Sequence, residues 1–168
     1  MSNCDVIVIR FAGIADLEAI TEIYNEAVRT TTATFDTEPK TVEARRSWFE
    51  SHSDRHPILV AELAGQVVGW GCLTKWSDRP AYDETAETSF YVKEEHRGRG
   101  IGRKLKQAII ETARGLGFHS LIARVADGSE ESLHLNETFG FQRVGTLREV
   151  GRKFGRLLDV HILQLILN

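Results

Sequence analysis

The chain has 168 residues, 42% of them hydrophobic and 27% charged, and a formal net charge of -3. This length and composition argue against disorder and predict one globular domain over residues 1–168. A mildly acidic chain lacks the positive field that general binding to nucleic acid or an anionic membrane needs, so we expect neither as a partner.

The cysteines and the first residues favour a soluble, cytoplasmic protein. Cys4 and Cys72 are far apart in sequence and are expected to be reduced thiols. No CxxC pair occurs and the six histidines are scattered, so we expect no metal site. Residues 1–10 lack the basic start and apolar run of a signal peptide. No stretch approaches the roughly 20 apolar residues of a membrane span.

Hydrophobic periodicity predicts a mixed α/β fold in the order β-α-α-β-β-β-α-β-α-β-β. The predicted strands are 5–11, 58–63, 67–76, 85–92, 120–125, 141–150 and 158–167. The predicted helices are 15–28, one that begins after Thr41 as N-cap, 101–116 and 131–139. This order indicates one mixed, mostly antiparallel central sheet with helices on both faces. The basic turn 151–156 is either a solvated hairpin tip or, because it contains Phe154, an interface or the edge of a site.

A glycine-rich basic loop, residues 96–104 (HRGRGIGRK), lies between a predicted strand and the amphipathic helix 101–116. Glycines allow a ligand to approach the backbone closely, and free N–H groups at a helix N-terminus favour an anion such as pyrophosphate. The loop is not a P-loop, because GxxxxGK[ST] is absent. It also departs from the Rossmann fingerprint GxGxxG, since Arg103 stands at the last glycine position and the loop follows the fourth strand.

The segment Arg97-Gly98-Arg99-Gly100-Ile101-Gly102 resembles the R/Q-x-x-G-x-G/A pyrophosphate loop of the GNAT acetyltransferases. The preceding strand 87–92 and the later pair Gly140-Phe141 occupy the positions that this superfamily gives them. Segments 23–25, 33–35, 38–39, 79–82, 85–87, 145–155 and 159–160 are similar to the phosphinothricin / methionine sulfoximine N-acetyltransferase branch. The resemblance covers nearly the whole chain and implies a GNAT fold.

The resemblance also implies a co-substrate, an acceptor class and an assembly. It implies transfer of an acetyl group from acetyl-CoA to the amino group of a small amino-acid-like acceptor, by direct attack in a ternary complex, in a homodimer. The implied cofactor-binding residues are Phe90, Tyr91, Val92, Arg97, Gly98, Arg99, Gly100, Ile101, Gly102, Ser129 and Ser132. The implied acceptor-binding residues are Phe35, Lys75, Trp76, Arg79 and Tyr82.

Two positions depart from the family pattern. Ser129 stands where the family commonly has an asparagine that contacts the cofactor arm. Asn136 stands where a histidine or tyrosine is common, and a tyrosine there can protonate the leaving thiolate in other GNAT enzymes. Because asparagine cannot act as an acid, the source of that proton stays unassigned.

Amine attack on a thioester requires a base, because an α-ammonium group is mostly protonated at neutral pH. Glu87 is the candidate, since its strand is expected to lie beside the thioester; the alternative is a structural glutamate that pairs locally.

Other acceptors stay open, namely a peptide N-terminus, a polyamine or an aminoglycoside. The last two favour an acidic site, whereas Lys75 and Arg79 are basic. A non-catalytic acyl-CoA-binding sensor would keep the loop and lose the base.

Overall fold

A computed structural model describes residues 6–168, so Cys4 and Asp5 lie outside the described residues. The strands are β1 (Ile7–Phe11), β2 (Ile58–Leu63), β3 (Gln66–Lys75), β4 (Thr85–Val92), β5 (Ser120–Ala126), β6 (Gln142–Lys153) and β7 (Arg156–Ile166). The helices are α1 (Leu17–Thr30), α2 (Val42–Glu50), α3 (Ile101–Gly115) and α4 (Glu130–Thr138). Short 3-10 turns precede α1, β4 and α3 at Ile14–Asp16, Pro80–Tyr82 and Glu94–His96.

The predicted order of elements is confirmed, and the final hairpin shows the largest difference in boundaries. Thr41 caps α2 as predicted, because its hydroxyl accepts a hydrogen bond from the N–H of Ala44 at 3.1 Å. The predicted turn over 151–156 is too long, since β6 continues to Lys153 and β7 begins at Arg156. The strand extends because Lys153 is buried and donates to the carbonyl oxygen of Thr34 at 2.7 Å.

The seven-stranded sheet has the order β1-β2-β3-β4-β5-β7-β6. Every neighbouring pair is antiparallel except β4 and β5, which are parallel and are joined by the crossover through α3. The predicted mixed, mostly antiparallel sheet is therefore confirmed.

Alternate residues of the central strands pack against helices on opposite faces of the sheet. On one face, Ile20 of α1 packs with Val60 of β2 and Trp70 of β3. On the other face, Ile109 of α3 packs with Leu59 of β2, and α4 adds its side chains to the same cluster. Helices therefore cover both faces, as predicted, and α3 and α4 share one of them.

The outermost strand, β6, leaves apolar side chains exposed. Val144, Leu147 and Val150 along β6 and Phe154 in the turn are each about half exposed. None of the helices within residues 6–168 combines the length and the apolar run needed to cross a bilayer.

Candidate active site

The central sheet opens where β4 and β5 stop pairing. Their register covers only Thr85–Ser120, Ala86–Leu121 and Glu87–Ile122. Beyond Glu87, β4 continues along β3 as far as Val92, and β5 continues along β7 as far as Ala126. The two halves of the sheet diverge and leave a cleft between them. One edge of the β4 backbone from residue 88 to 92 faces this cleft.

A groove of about 580 Å³ leads from the surface into the cleft. It is bounded by β4, the glycine-rich loop, the start of α3 and the start of α4. Most of the predicted cofactor residues line it: Phe90, Tyr91, Val92, Arg97, Gly98, Gly100, Ile101, Gly102, Ser129 and Ser132. Arg99 is exposed and does not line the groove. The predicted cofactor residues other than Arg99 thus lie together along one groove, and their role in binding the cofactor stays a prediction.

The glycine-rich loop prepares the N-terminus of α3 for an anion. Gly100 is the N-cap residue and has a φ of 81°, a left-handed conformation that suits glycine. No side chain caps the helix, so the N–H groups of its first turn stay available beside the groove. Arg97 is fixed nearby, because its Nε donates to the carbonyl oxygen of Val92 at 3.1 Å. The positive charge and the free N–H groups of this cradle suit an anion such as pyrophosphate.

Glu87 lies at the point where the sheet opens, and both of its carboxylate oxygens accept hydrogen bonds from Arg124. The two N–O distances, from Nε and Nη2 of Arg124, are both 2.8 Å. Sequence reasoning missed Arg124, which belongs to β5 and projects beside Glu87 because the two strands are parallel here. A bidentate pair holds the carboxylate in a fixed orientation. Glu87 does pair locally, as the structural alternative anticipated. Arg124 lines the cavity at the inner end of the groove, whereas Glu87 lines neither that cavity nor the groove.

The predicted acceptor residues Lys75, Trp76, Arg79 and Tyr82 lie at the end of β3 and in the following loop. None of these four lines the groove or the small cavity of about 50 Å³ at its inner end. Lys75, Arg79 and Tyr82 are exposed, and Lys75 is 3.7 Å from Asp78. The loop nevertheless begins near the site, because Thr74 is the register partner of Glu87. The structure thus leaves the role of these residues as a prediction.

Phe35 lies in the segment between α1 and α2, and this segment folds against β6. The segment is held by Asn25, which exchanges two 2.8 Å hydrogen bonds with the backbone of Lys40, and by the contact of Lys153 with Thr34. The Phe35 ring lies directly over Gly151 of β6, where a Cβ atom would be 2.2 Å from the ring. The end of β6 therefore supports the segment that carries Phe35.

An aromatic cluster covers the face of the sheet that carries Glu87. The sequence analysis did not predict this cluster. The Arg45 guanidinium stacks on Tyr24 and Trp48, with centroid distances of 4.2 and 3.6 Å. Tyr91 packs on Trp70 with ring centroids 4.9 Å apart. Cys72 is fully buried there, and burial raises the pKa of its thiol to about 11. A neutral buried thiol is a poor nucleophile, which agrees with a reaction that needs no acyl-enzyme.

Of the two positions that depart from the family pattern, Ser129 lines the groove, whereas Asn136 lines only the cavity at its inner end. Ser129 is the N-cap residue of α4, but its side chain makes no capping hydrogen bond and stays free to contact a ligand. Asn136 is buried, and its Nδ2 donates to the carbonyl oxygen of Ser132 at 2.8 Å. His134 lines the groove as well. Within residues 6–168, no three His, Cys, Asp or Glu side chains cluster in a way that could hold a metal ion.

Comparison of the chain with known proteins identifies its family. Residues 9–162 match the model of the acetyltransferase (GNAT) domain. The chain is 41% identical over 162 residues to an L-methionine sulfoximine/L-methionine sulfone acetyltransferase of Pseudomonas aeruginosa, covering 95% of this chain and 94% of that protein. It is 40% identical over 149 residues to a phosphinothricin N-acetyltransferase of Streptomyces coelicolor, covering 86% and 87%.

A solved structure with the same fold was determined with acetyl-CoA bound. It is a GNAT superfamily phosphinothricin acetyltransferase from Sinorhizobium meliloti in complex with acetyl-CoA, with a TM-score of 0.93 and 32% identity over 96% of this chain and 89% of that chain. The chain belongs to the GNAT acetyltransferase family. It is an N-acetyltransferase, and the enzymes of this family use acetyl-CoA.

The left-handed conformation of Gly100 provides a test of the cofactor cradle. Gly100→Ala should weaken binding of coenzyme A by about tenfold, because an L-residue in this conformation costs about 1–2 kcal/mol and relaxation would turn the helix N–H groups away. Isothermal titration calorimetry with coenzyme A measures the change. Gly65→Ala is the matched control, since Gly65 has a φ of 79° in the β2–β3 turn. Equal loss in both variants would contradict a specific role for Gly100.

Gly151→Ala tests whether Phe35 borders the acceptor. The added methyl cannot coexist with the present position of the ring, so Phe35 must move. We expect the KM for the acceptor to rise about tenfold, while the dissociation constant of coenzyme A stays within twofold. Gly145→Ala on the same strand is the control, because a Cβ atom there meets nothing within 4 Å. An unchanged acceptor KM in Gly151→Ala would remove Phe35 from the acceptor pocket.

Proposed function

We propose that this enzyme acetylates the amino group of a small amino-acid-like acceptor of the phosphinothricin, methionine sulfoximine or methionine sulfone type. The observation that carries the proposal is the Glu87–Arg124 pair at the opening of the sheet, next to a groove suited to acetyl-CoA. A fixed carboxylate and a guanidinium with one nitrogen still free suit a zwitterion, whose ammonium and carboxylate need opposite charges. The names of the relatives support the same acceptor class.

Acetyl-CoA binds in the groove in this proposal, with the pyrophosphate at the N-terminus of α3. The cofactor arm follows the free edge of Phe90, Tyr91 and Val92 as an added strand does, and this supplies hydrogen-bond partners to that backbone. Ser129 and Ser132 contact the arm from α4. When bound, acetyl-CoA supplies the activated acetyl group.

Glu87 acts as the base, through a water molecule, on the acceptor ammonium group. The bidentate contact with Arg124 uses one lone pair of each oxygen, and each oxygen keeps another that can accept a proton. A backbone N–H of the Tyr91–Val92 segment stabilises the oxyanion that develops during attack. Arg79 and Lys75 bind the acidic end of the acceptor from the β3–β4 loop, and Phe35, Trp76 and Tyr82 enclose it.

We further propose a cytoplasmic homodimer of single-domain chains. The exposed apolar side chains along β6 and its turn support the dimer, because a strand edge with such residues is normally covered in solution. Light scattering coupled to size-exclusion chromatography measures the mass, and a monomer at micromolar concentration would contradict the dimer.

An acceptor panel tests the proposed substrate class. Release of coenzyme A is followed with a thiol reagent, using acetyl-CoA with methionine sulfoximine, methionine sulfone, phosphinothricin, ordinary amino acids, spermidine and an aminoglycoside. We expect the highest kcat/KM among the first three compounds. Turnover confined to spermidine or the aminoglycoside would contradict the zwitterion site, and binding of acetyl-CoA with no turnover would favour a sensor.

Paired substitutions test the role of Glu87. Glu87→Gln should lower kcat/KM by about 100-fold or more, because the base is lost. Arg124→Gln breaks the same ion pair but keeps the carboxylate, so it should lower kcat/KM by a smaller factor. Measurement across pH 6 to 9 compares the two variants with the wild type. Equal losses in both variants would mean that the pair is structural and that Glu87 is not the base.

A further inference from the structure

A buried lysine lies on the opposite side of the opened sheet from Glu87. Lys106 of α3 is 1% exposed, and its Nζ donates to the hydroxyl of Thr88 on β4 at 2.7 Å. Nζ also lies 4.1 Å from the centroid of the Phe141 ring. Within residues 6–168, no carboxylate lies within 4 Å of this ammonium group. An ammonium group has three N–H donors, and the Thr88 contact uses one of them.

Lys106 borders a small cavity of about 50 Å³ at the inner end of the groove. The cavity and the groove share Phe90, Tyr91, Ser129 and Ser132 in their walls, so the two spaces adjoin. This volume is large enough for a water molecule. Its position, between the diverging β4 and β5, is where the free edge of β4 leads a bound cofactor arm.

A second buried polar group borders the same cavity. Asn136 of α4 is 1% exposed, and its Oδ1 has no hydrogen-bond partner among the described residues. Buried acceptors normally have a partner, and an orphaned one usually indicates a bound polar group. Spare donors on Lys106 and a spare acceptor on Asn136 therefore border one space. A water molecule or a polar atom of the substrate can bond to both.

Lys106 is also the group around this cavity that can change its charge near neutral pH. Burial lowers the pKa of the Lys106 ammonium to about 7. Of the other titratable groups in the cavity wall, Tyr91 faces the opposite side of the sheet and burial raises its pKa well above neutrality. Arg124 is bound to Glu87. The α4 wall contributes only Ser129, Ser132 and Asn136, none of which titrates.

We propose that Lys106 donates the proton that converts the departing coenzyme A thiolate into a thiol, through a water molecule held between Lys106 and Asn136. The proposal rests on the acetyl transfer described under the proposed function. It assigns the proton that Asn136, as an amide, cannot supply.

The proposed step balances in atoms and charge. The nitrogen lone pair of the acceptor forms the bond to the acetyl carbon, and the carbon–sulfur bond breaks with its electron pair remaining on sulfur. One proton moves from the Lys106 ammonium through the water to sulfur, which leaves Lys106 as a neutral amine. Glu87 releases to solvent the proton taken from the acceptor ammonium before attack, and the nitrogen loses its second proton to solvent as the neutral amide forms. Lys106 regains one proton from solvent before the next turnover, so one proton is released overall.

The protonated form of Lys106 is the proton donor, and this determines how kcat changes with pH. Lys106 must be protonated to donate, so its contribution to kcat is complete at pH values below its pKa in the enzyme–substrate complex. That contribution is lost as the pH rises through this pKa, which is near neutral in the free protein. The wild type should therefore show a falling limb of kcat on the alkaline side.

The kinetic test compares Lys106→Met, which keeps the stem, with Lys106→Arg, which keeps a charge that does not titrate. We expect both variants to lower kcat by about 100-fold, to leave the KM for acetyl-CoA within about threefold and to lose the falling limb. Gln107→Met, an exposed position on α3, is the control and should match the wild type. Retention of the falling limb in Lys106→Met, or rescue by arginine, would overturn proton donation.

A second test uses the wild-type protein and no acceptor. Lysine labelled with carbon-13 at Cε is titrated by NMR, and Lys106→Met identifies the resonance where it folds. We expect a lysine that titrates near pH 7 and whose midpoint changes when coenzyme A binds but not when desulfo-coenzyme A binds. An equal response to both ligands would overturn the contact with sulfur. A thiol-specific response with no turnover in the acceptor panel would support Lys106 and reject the proposed acceptors.

Discussion

The early end of pairing between β4 and β5 is the constraint on which the site depends. Backbone N–H and C=O groups inside a protein need partners, so a sheet normally remains closed along its length. Here only three residue pairs join the strands, and at the next position the Thr88 hydroxyl contacts the carbonyl oxygen of Ile122 at 3.5 Å. The backbone beyond Thr88 keeps one edge free. An extended ligand with amide groups can pair with that edge, and the groove leads directly to it.

Strand alternation then separates the two groups proposed to transfer protons. Glu87 and Thr88 are consecutive on β4, so their side chains point to opposite faces of the sheet. Glu87 meets Arg124 on one face, whereas Thr88 meets Lys106 on the face covered by α3. A thioester held in the opening lies between them. The acceptor nitrogen can therefore lose its proton on one side while sulfur gains one from the other, and the two groups do not neutralise each other as an ion pair.

Local sequence patterns were sufficient for the fold and the groove, because both depend on periodicity and on glycine. They were insufficient for Arg124 and Lys106. Lys106 follows Leu105 in an amphipathic helix, and a lysine beside an apolar stripe reads as a solvated residue. Only the packing of α3 over the opening of the sheet places it inside. The acceptor residues Lys75 and Arg79 lie at a strand end and in a loop, whose course follows tertiary contacts rather than a repeat.

The burial of Lys106 also connects the two ends of the cofactor site. Gly102 and Lys106 are four residues apart, so they lie on the same face of α3. Gly102 faces the Phe90 ring and Leu135 at the groove, and Lys106 faces Thr88 at the inner cavity. One helix therefore offers backbone N–H groups to a pyrophosphate at its start and an ammonium group to the sulfur one turn later. An isolated ammonium group is costly to bury. Its place on the helix whose N-terminus borders the groove is therefore better explained by the proposed reaction than by stability.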